Sequence, residues 1–282
     1  MEQSSNIHVI RSGAESLVAR YVWKASRSAC AVEQEKILPK GTAEIIFNLT
    51  DSTLCFKDAE QERFELFKCS INGLNTSPFH LIKGRSQTFI GIQLHAYALK
   101  WIFGIPGKEF TDKVFDGFDV CPSLRTLYER LAGENSFDTQ VELILDWLRM
   151  RLQSAKVISD RSLLFDLHSE RREEELSVSS ICKRYNLSDR HLRRLASDYL
   201  GINTEDFVLY RKYLNAFERL HHGSEQLTTV ALESGFYDQA HFNKTFKAYT
   251  GLVPSEYRRQ KSELIGHLYY APGQSDLISQ TY

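Results

Sequence analysis

A short segment of the chain occurs twice, fifty residues apart, and this repeat restricts the fold more than any other feature. Residues 187–201 (LSDRHLRRLASDYLG) align in phase with residues 237–251 (YDQAHFNKTFKAYTG). In this alignment His191 matches His241, and Gly201 matches Gly251. A repeat of this kind indicates one supersecondary unit that the chain uses twice.

Each copy follows a shorter segment with apolar periodicity, which predicts two helices separated by a break. The shorter segment begins at Val178 before the first copy and at Leu227 before the second. After the break, Ser188 and Asp238 stand where a side chain caps the first turn of a new helix. The pattern therefore predicts a helix, a tight turn and a second helix, twice over.

The second helix of each unit has an apolar face and a polar face when it is plotted at about 100° per residue. The polar faces carry Arg190, Arg193 and Arg194 in the first copy and Ala240, Asn243, Lys244 and Lys247 in the second. Guanidinium groups suit phosphate oxygens and the edge of guanine in a major groove. Any surface helix carries charge outward, but two copies, each behind its own positioning helix, favour nucleic-acid binding.

Several further motifs point to a known family. They are Ser188-x-x-x-Leu192-x-Arg194 with Gly201, Ala231-x-x-x-Gly235-Phe236, His241-Phe242-x-Lys244-x-Phe246-Lys247, and Pro254-x-x-Tyr257-Arg258. Through them, residues 160–261 resemble the DNA-binding domain of the AraC/XylS family of bacterial transcription regulators. Ala196, Thr204 and Lys244 depart from the family pattern, which suggests looser packing of the first unit and no change of fold.

The resemblance implies two helix-turn-helix units joined by a rigid helix, with recognition helices in major-groove turns about 34 Å apart. We expect the joining helix to run from Thr204 to His222, between a cap at Asn203 and an end at Gly223. The DNA-contact candidates carried over by position are Arg190, Arg193, Arg194, Gln239, Ala240, His241, Asn243, Lys244 and Lys247. Among them, Arg193 and Arg194 are expected to read bases, Gln239 or Asn243 to pair with adenine, and Lys244 and Lys247 to contact phosphates.

The first half of the chain has the periodicity of strands. Residues 43–49, 63–71 and 88–94 alternate or are rich in β-branched and aromatic side chains, with turn residues between them. We therefore predict a small, mostly antiparallel barrel or sandwich. A helix is predicted over residues 95–103, and two amphipathic helices over residues 122–153 are predicted to link the halves.

This half also resembles an uncharacterised family of regulatory domains that precede AraC-type modules. The resemblance rests on Leu38-Pro39-x-Gly41-x-x-Glu44 to Leu49 and on Gly91-Ile92-x-Leu94 leading into Gly104-Ile105-Pro106. The basic residue, Pro and Gly usual after that strand are replaced by residues 94–97. In the wider AraC/XylS family such a domain binds a small effector or a partner subunit, which implies a sensor or dimerisation role.

The predicted fold class is α+β with four parts. They are a β-rich domain over residues 1–118, a helical linker over 119–158, the all-α DNA-binding domain over 159–261 and a C-terminal tail over 262–282. Leu264, Ile265, Leu268, Tyr269 and Tyr270 in the tail are candidates for a final turn packed on either domain.

Composition limits the functional class. The chain of 282 residues has a net charge of −1, but residues 171–261 carry 15 basic and 12 acidic residues, which leaves −4 for the remainder. DNA binding should therefore depend on a concentrated helix face. Five scattered cysteines without a CxxC pair, no signal sequence and no long apolar run predict a cytoplasmic protein with no metal, cofactor or membrane span.

The leading hypothesis is a sequence-specific, double-stranded DNA-binding transcription regulator, with a homodimer and, for an activator, RNA polymerase as further partners. A DNA-targeted enzyme or repair factor is the alternative, and Cys55 and Cys69 would be its candidate thiols. No catalytic motif or His-x-His pair occurs, so no enzyme activity is predicted. A DNA-independent adaptor that uses the same helices conflicts with three outward arginines on one face.

Overall fold

A six-stranded antiparallel sheet is the base of the N-terminal half. The structure, a computed structural model, describes residues 2–28, 33–50, 55–57, 63–83, 86–154 and 177–270. In spatial order the strands are β1 (Glu2–Val9), β2 (Ala19–Ser28), β9 (Ser86–His95), β4 (Thr42–Asn48), β7 (Cys69–Asn72) and β10 (Val114–Asp116). The central strands pair Ile45 with Ile92 and Phe47 with Ile90, and all four side chains are buried.

A second antiparallel sheet has five strands, and its outermost strand comes from the far end of the chain. Its order is β11 (His267–Tyr270), β3 (Glu33–Ile37), β8 (Phe79–Lys83), β5 (Cys55–Lys57) and β6 (Arg63–Glu65). Within the described residues neither sheet closes on itself, because the outer strands pair on one side only. Of the two predicted architectures, the closed barrel is therefore wrong.

Two predicted elements have different bounds in the structure. Residues 63–71 were expected to form one strand, but they divide into β6 and β7, which belong to different sheets. Alternation shows only which side chains share a face, so it cannot show that the chain changes sheets near Phe67. The helix predicted from His95 begins at Ala98, since His95 pairs with Thr42 as the last residue of β9.

Helices follow the sheets and pack on the first one. They are α1 (Ala98–Phe103), α2 (Gly117–Val120), α3 (Ser123–Ala132) and α4 (Phe137–Ser154), with short 3₁₀ helices at Ala14–Leu17 and Gly107–Glu109. The two helices predicted over residues 122–153 are confirmed as α3 and α4. Lys24 on β2 donates to Gln140 on α4 at 2.8 Å, and Arg149 pairs with buried Glu15 at 2.7 Å, so α4 is joined to the N-terminal sheet.

The C-terminal half is helical between residues 178 and 260. Its helices are α5 (Val178–Tyr185), α6 (Asp189–Leu195), α7 (Thr204–His222), α8 (Leu227–Glu233), α9 (Gln239–Thr250) and α10 (Pro254–Gln260). A π-helical turn at Ala196–Leu200 continues α6. No helix in the described part of the chain is long and apolar enough to cross a membrane.

The two halves are in direct contact through α7. The Tyr210 hydroxyl accepts from the Gly41 N–H at 3.0 Å and donates to the Asn75 carbonyl at 2.8 Å. The Tyr213 hydroxyl donates to the Pro39 carbonyl at 2.9 Å. Because both tyrosines are buried, these bonds satisfy hydroxyl groups that water cannot reach.

Candidate nucleic-acid interface

The first helix-turn-helix unit consists of α5 and α6. Ser177 and Ser180 form a capping box at the start of α5, and Asn186 ends that helix in the left-handed region at a φ of 50°. The chain then turns, and the Ser188 side chain accepts from the His191 N–H at 3.2 Å to begin α6. The predicted cap at Ser188 is confirmed.

The second unit, α8 and α9, repeats this arrangement. The turn after α8 contains Gly235 at a φ of 84°, and the Asp238 carboxylate accepts from the His241 N–H at 2.7 Å. The predicted cap at Asp238 is therefore confirmed as well. In both units a short polar side chain satisfies a free N–H in the first turn of the second helix, which fixes where that helix begins.

The apolar faces of the second helices are buried as predicted. Leu192 and Leu195 are at most 5% exposed in α6, and Phe242 and Phe246 are fully buried in α9. Phe246 packs on Tyr213 of α7 at a ring-centroid distance of 5.7 Å. The opposite face of each helix is consequently directed away from the core.

The connecting helix α7 has the predicted bounds, from Thr204 to His222. Asn203 caps it by accepting from the Asp206 N–H at 2.7 Å, and Gly223 follows its last residue. Its buried aromatic residues contact α9, where the rings of Tyr213 and Tyr249 are 4.6 Å apart. A single helix of 19 residues thus joins the two units and packs on the second recognition helix.

The first recognition helix ends in a wider turn than the second. The Gly201 N–H donates to the Ala196 carbonyl five residues earlier at 2.9 Å, whereas the Gly251 N–H donates to Lys247 four residues earlier. The π-helical turn begins at Ala196, one of the positions that depart from the family pattern. Ala196 is 2% exposed, so the turn is packed against its neighbours.

The nine DNA-contact candidates lie on α6 and α9, and most are exposed. The exposed ones are Arg190, Arg193, Arg194, Ala240, His241 and Lys244, and the half-buried ones are Gln239, Asn243 and Lys247. The side-chain amide oxygen of Asn243 is buried and has no hydrogen-bond partner within the described residues. The structure thus gathers the candidates into two clusters, one on each recognition helix.

Arg193 and Arg194, which the sequence treats alike, differ in their surroundings. Arg193 forms ion pairs with Asp189 and Glu205, each at 2.8 Å, and the hydrogen bond to Asp189 is the main cause that raises its pKa. Arg194 has one weaker contact, at 3.4 Å, with the ring of His191. Among the described residues, a base or phosphate would have to displace two carboxylates from Arg193 but none from Arg194.

A cleft beside the second recognition helix is lined in part by residues of the N-terminal half that the sequence did not identify as candidates. It has a volume of about 520 Å³ and is lined by His241 and Lys244 on one side and by Thr76 and Thr111 of the N-terminal half on the other. Thr76 also donates to Asp112, which holds the two N-terminal loops together. No sequence signal joins these loops to α9, because their contact depends on how the halves dock.

The thiols proposed for the enzyme alternative gain no support. Cys69 is fully buried, and burial raises the pKa of its thiol, which disfavours the nucleophilic thiolate at neutral pH. The side chain of Cys55 lies outside the described residues. Among the residues whose positions are described, no group of three or more His, Cys, Asp or Glu could hold a metal ion.

Comparison with known families agrees with the two capped units. Residues 181–260 match the family described as "Helix-turn-helix domain", and residues 15–116 match "Domain of unknown function (DUF6597)". The C-terminal part of the chain is an AraC-type helix-turn-helix domain. This AraC-type domain includes both recognition helices and all nine candidate residues.

Curated relatives match part of the chain. An uncharacterized HTH-type transcriptional regulator of Staphylococcus aureus is 32% identical over 85 residues, which are 30% of this chain and 11% of that protein. The probable transcription factor PqrA of Proteus vulgaris is 27% identical over 115 residues, which are 41% of this chain and 80% of that protein. The chain thus matches only about a ninth of the length of the S. aureus regulator.

Solved structures are also similar to the chain. ToxT from Vibrio cholerae is 12% identical, with 91% of this chain and 97% of that chain covered and a TM-score of 0.45. An AraC-type regulator from Chromobacterium violaceum is 30% identical, with 32% of this chain and 80% of that chain covered and a TM-score of 0.30.

Proposed function

We propose that the chain is a sequence-specific regulator of transcription that binds double-stranded DNA through its AraC-type domain. In this proposal residues 159–261 bind DNA, residues 1–118 control binding, and residues 119–158 connect them. The recognition helices α6 and α9 enter successive major grooves. Arg190, Arg193, Arg194, Gln239, Ala240, His241 and Asn243 contact bases, and Lys244 and Lys247 contact phosphates.

The observation that carries the proposal is the pair of capped recognition helices whose candidate side chains remain accessible. Arg190 and Arg194 are exposed on α6, and Lys244 is exposed on α9, although the N-terminal half is docked on the same domain. A buried or paired cluster would have favoured a packing role. Arg194 is the strongest candidate for base readout, because no carboxylate in the described part of the chain pairs with it and a guanidinium can bind guanine bidentately.

The test begins with selection of duplexes by the full chain from a random library, followed by affinity measurements on the selected duplex. Arg194→Ala should lower affinity by about 1–3 kcal/mol and relax the preference at one base pair. Arg130→Ala is the matched control, since it removes an equal charge from an exposed position on α3, in the other half. Equal losses for the two variants would refute base reading by Arg194.

Salt dependence tests the groove-binding geometry independently. Lysine and arginine contacts to phosphate release counterions, so the logarithm of affinity should fall linearly with the logarithm of salt concentration. Lys244→Ala should reduce that slope by about one unit, while sequence preference stays the same. A slope near zero for the full chain would contradict binding in two major grooves.

We also propose that a small anionic effector binds at the junction of the two halves. A cavity of about 340 Å³ lies there, and its lining includes Arg20, Lys40 and Arg211 together with Glu218, while Lys40 also pairs with Glu44 at 3.7 Å. Small-molecule pockets have volumes of this size, and both halves supply the walls. An effector in this cavity would therefore change how the halves dock, and with it the affinity for DNA.

Thermal unfolding with a panel of carboxylates and inorganic phosphate would test this site. A bound anion should raise the unfolding temperature of the full chain but not that of Arg211→Ala. The same compound should change the affinity for the selected duplex. A compound that stabilises both proteins equally would have to bind elsewhere.

A further inference from the structure

The segment after α10 joins the helix-turn-helix domain to the sheet of the other half. The match to the helix-turn-helix family ends at residue 260, but residues 262–270 continue across the N-terminal half. The Ser262 hydroxyl donates to the His267 carbonyl at 2.7 Å, and the Leu38 N–H donates to the Gly266 carbonyl at 2.8 Å. β11 then pairs antiparallel with β3 over four residues. We name residues 262–270 the clasp.

Side chains of the clasp, as well as its backbone, form contacts with the N-terminal half. His267 lies 2.6 Å from Glu35 through Nδ1 and 3.2 Å from Lys40 through Nε2. A neutral imidazole satisfies both groups, because it donates to the carboxylate and accepts from the ammonium. Glu35 and Leu268 are each 1% exposed, so the strand covers one buried charge and inserts one apolar side chain.

The clasp is one of several connections between the helix-turn-helix domain and the N-terminal half. The first unit is held by an ion pair between Lys100 on α1 and Asp198 at 2.9 Å. The connecting helix is held by the hydrogen bond from Tyr213 to Pro39. The second unit continues directly into the clasp. Both units and the helix between them are therefore attached to the N-terminal half.

This docking places N-terminal loops beside the second recognition helix. His241 and Lys244, two of the DNA-contact candidates, share the 520 Å³ cleft with Thr76 and Thr111. A recognition helix occupies a major groove about 12 Å wide, whose walls are phosphate backbones on both sides of the helix. Lys244 itself is exposed to solvent, but in the proposed complex the loops beside it would compete with one of these phosphate backbones for the same space.

We infer that the clasp is an autoinhibitory contact: its pairing with β3 holds the N-terminal loops beside α9, and its release raises the affinity for DNA. The inference rests on the proposed DNA-binding function. It assigns a role to a segment that lies outside the helix-turn-helix match. It also predicts that an opened clasp frees the second unit before the first, since Lys100 and Asp198 remain paired.

The first test removes the clasp. A chain that ends at Lys261 lacks β11, and a chain that ends at Tyr270 keeps it and serves as the matched control. Affinity for the selected duplex, measured by fluorescence anisotropy, should rise about fivefold or more when β11 is lost, and it should stay unchanged in the control. An unchanged or weaker affinity for a folded chain ending at Lys261 would overturn the inference.

The second test locks the clasp and does not depend on how the shortened chain folds. Gln34 and Tyr270 face each other across the β3–β11 pair, so Gln34→Cys with Tyr270→Cys can form a cross-strand disulfide. Oxidation should lower the affinity of the double variant about fivefold or more, and reductant should restore it. Each single variant under the same oxidant controls for the five native cysteines.

The outcomes separate the two proposals. If oxidised and reduced double variants bind the duplex equally, although mass spectrometry shows the disulfide, the clasp does not inhibit and only the inference fails. If no form of the chain binds any selected duplex, the proposed function itself fails and the inference fails with it. Tighter binding after release, together with weaker binding after locking, supports both.

Discussion

The contact between Gly107 and Gly201 gives a sharp test of how the two halves dock. Gly201 ends the first recognition helix at a φ of 75°, and a Cβ there would lie 2.8 Å from the Gly107 main chain and 2.0 Å from the Thr111 hydroxyl. Gly251 occupies the same position in the second repeat at a φ of 72°. A Cβ at Gly251 would meet only the end of the Lys36 side chain, at 3.0 Å.

Alanine at these two glycines should therefore have unequal costs. Both substitutions force a left-handed conformation on an L side chain, which costs about 1–2 kcal/mol. Gly201→Ala adds a clash with main-chain atoms that cannot rotate away, and overpacking of this kind costs about 1–3 kcal/mol more. We expect losses in the free energy of unfolding of about 1–2 kcal/mol for Gly251→Ala and about 2–5 kcal/mol for Gly201→Ala.

Urea unfolding of the full chain, followed by fluorescence and circular dichroism, would measure the difference. The additional loss at Gly201 cannot exceed the free energy of docking, because the protein can relieve the clash by separating its halves. Losses that agree within about 0.5 kcal/mol would mean that docking contributes almost nothing. That result would refute the interdomain contacts on which the clasp inference depends.

Two further perturbations test the buried polar groups. Tyr210→Phe removes the partner of the Gly41 N–H and of the Asn75 carbonyl, so we expect the free energy of unfolding measured in urea to fall by about 1–3 kcal/mol. The hydroxyl of Tyr249 has no hydrogen bond within the described residues, so Tyr249→Phe should lower it by less. Equal losses for the two variants would contradict this account. Burial of His95 lowers its pKa from 6.5 to about 4, so the unfolded chain binds a proton at this residue more tightly than the folded chain does. The free energy of unfolding should therefore fall as the pH drops below 6.5, by about 2 kcal/mol at pH 5. His95→Gln should remove that part of the pH dependence, and an unchanged profile in pH-dependent urea unfolding would show that His95 is not its source.

The helix-turn-helix units could be predicted because their signals are local. Ser188 and Asp238 each cap a helix three residues before the N–H they bind, and Asn203 and Gly223 mark the ends of α7 in the same way. Such contacts involve neighbours in the sequence, so residue type and spacing are sufficient to place them. The repeat then supplied a second, independent copy of the same pattern.

The clasp could not be predicted because its contacts are distant in the sequence. His267 and Glu35 touch although they are separated by 232 positions, and a four-residue strand carries little periodicity of its own. From the sequence, apolar residues between 264 and 270 were expected to form a final turn on either domain, whereas the structure pairs residues 267–270 with β3 as a strand. The change of sheet between β6 and β7 was missed for the same reason, because the sheet to which a strand belongs depends on pairing partners that are distant in the sequence.

The candidate site shows the same division between local and distant information. Periodicity placed Arg193 and Arg194 on the outward face of α6, and both are exposed. One of the two carboxylates that pair with Arg193, Asp189, lies four residues earlier on the same helix and could have been predicted from spacing, whereas the other, Glu205, belongs to the next helix. The cleft at Lys244 depends on loops from the other half, which no pattern in α9 reveals.

The two copies of the repeat are held to the N-terminal half by different contacts, and under the proposed function this asymmetry would give that half two separate routes of control. Asp198 in the first copy is paired with Lys100, whereas the matching residue of the second copy, Ala248, is uncharged and lines the open cleft. The first unit is therefore fixed by an ion pair and by the contact at Gly201, and the second by the clasp. The clasp also forms a wall of the cation-lined cavity. Under the proposed function, we therefore expect an anion bound there to act first on the second unit, while the first unit keeps its position on the duplex.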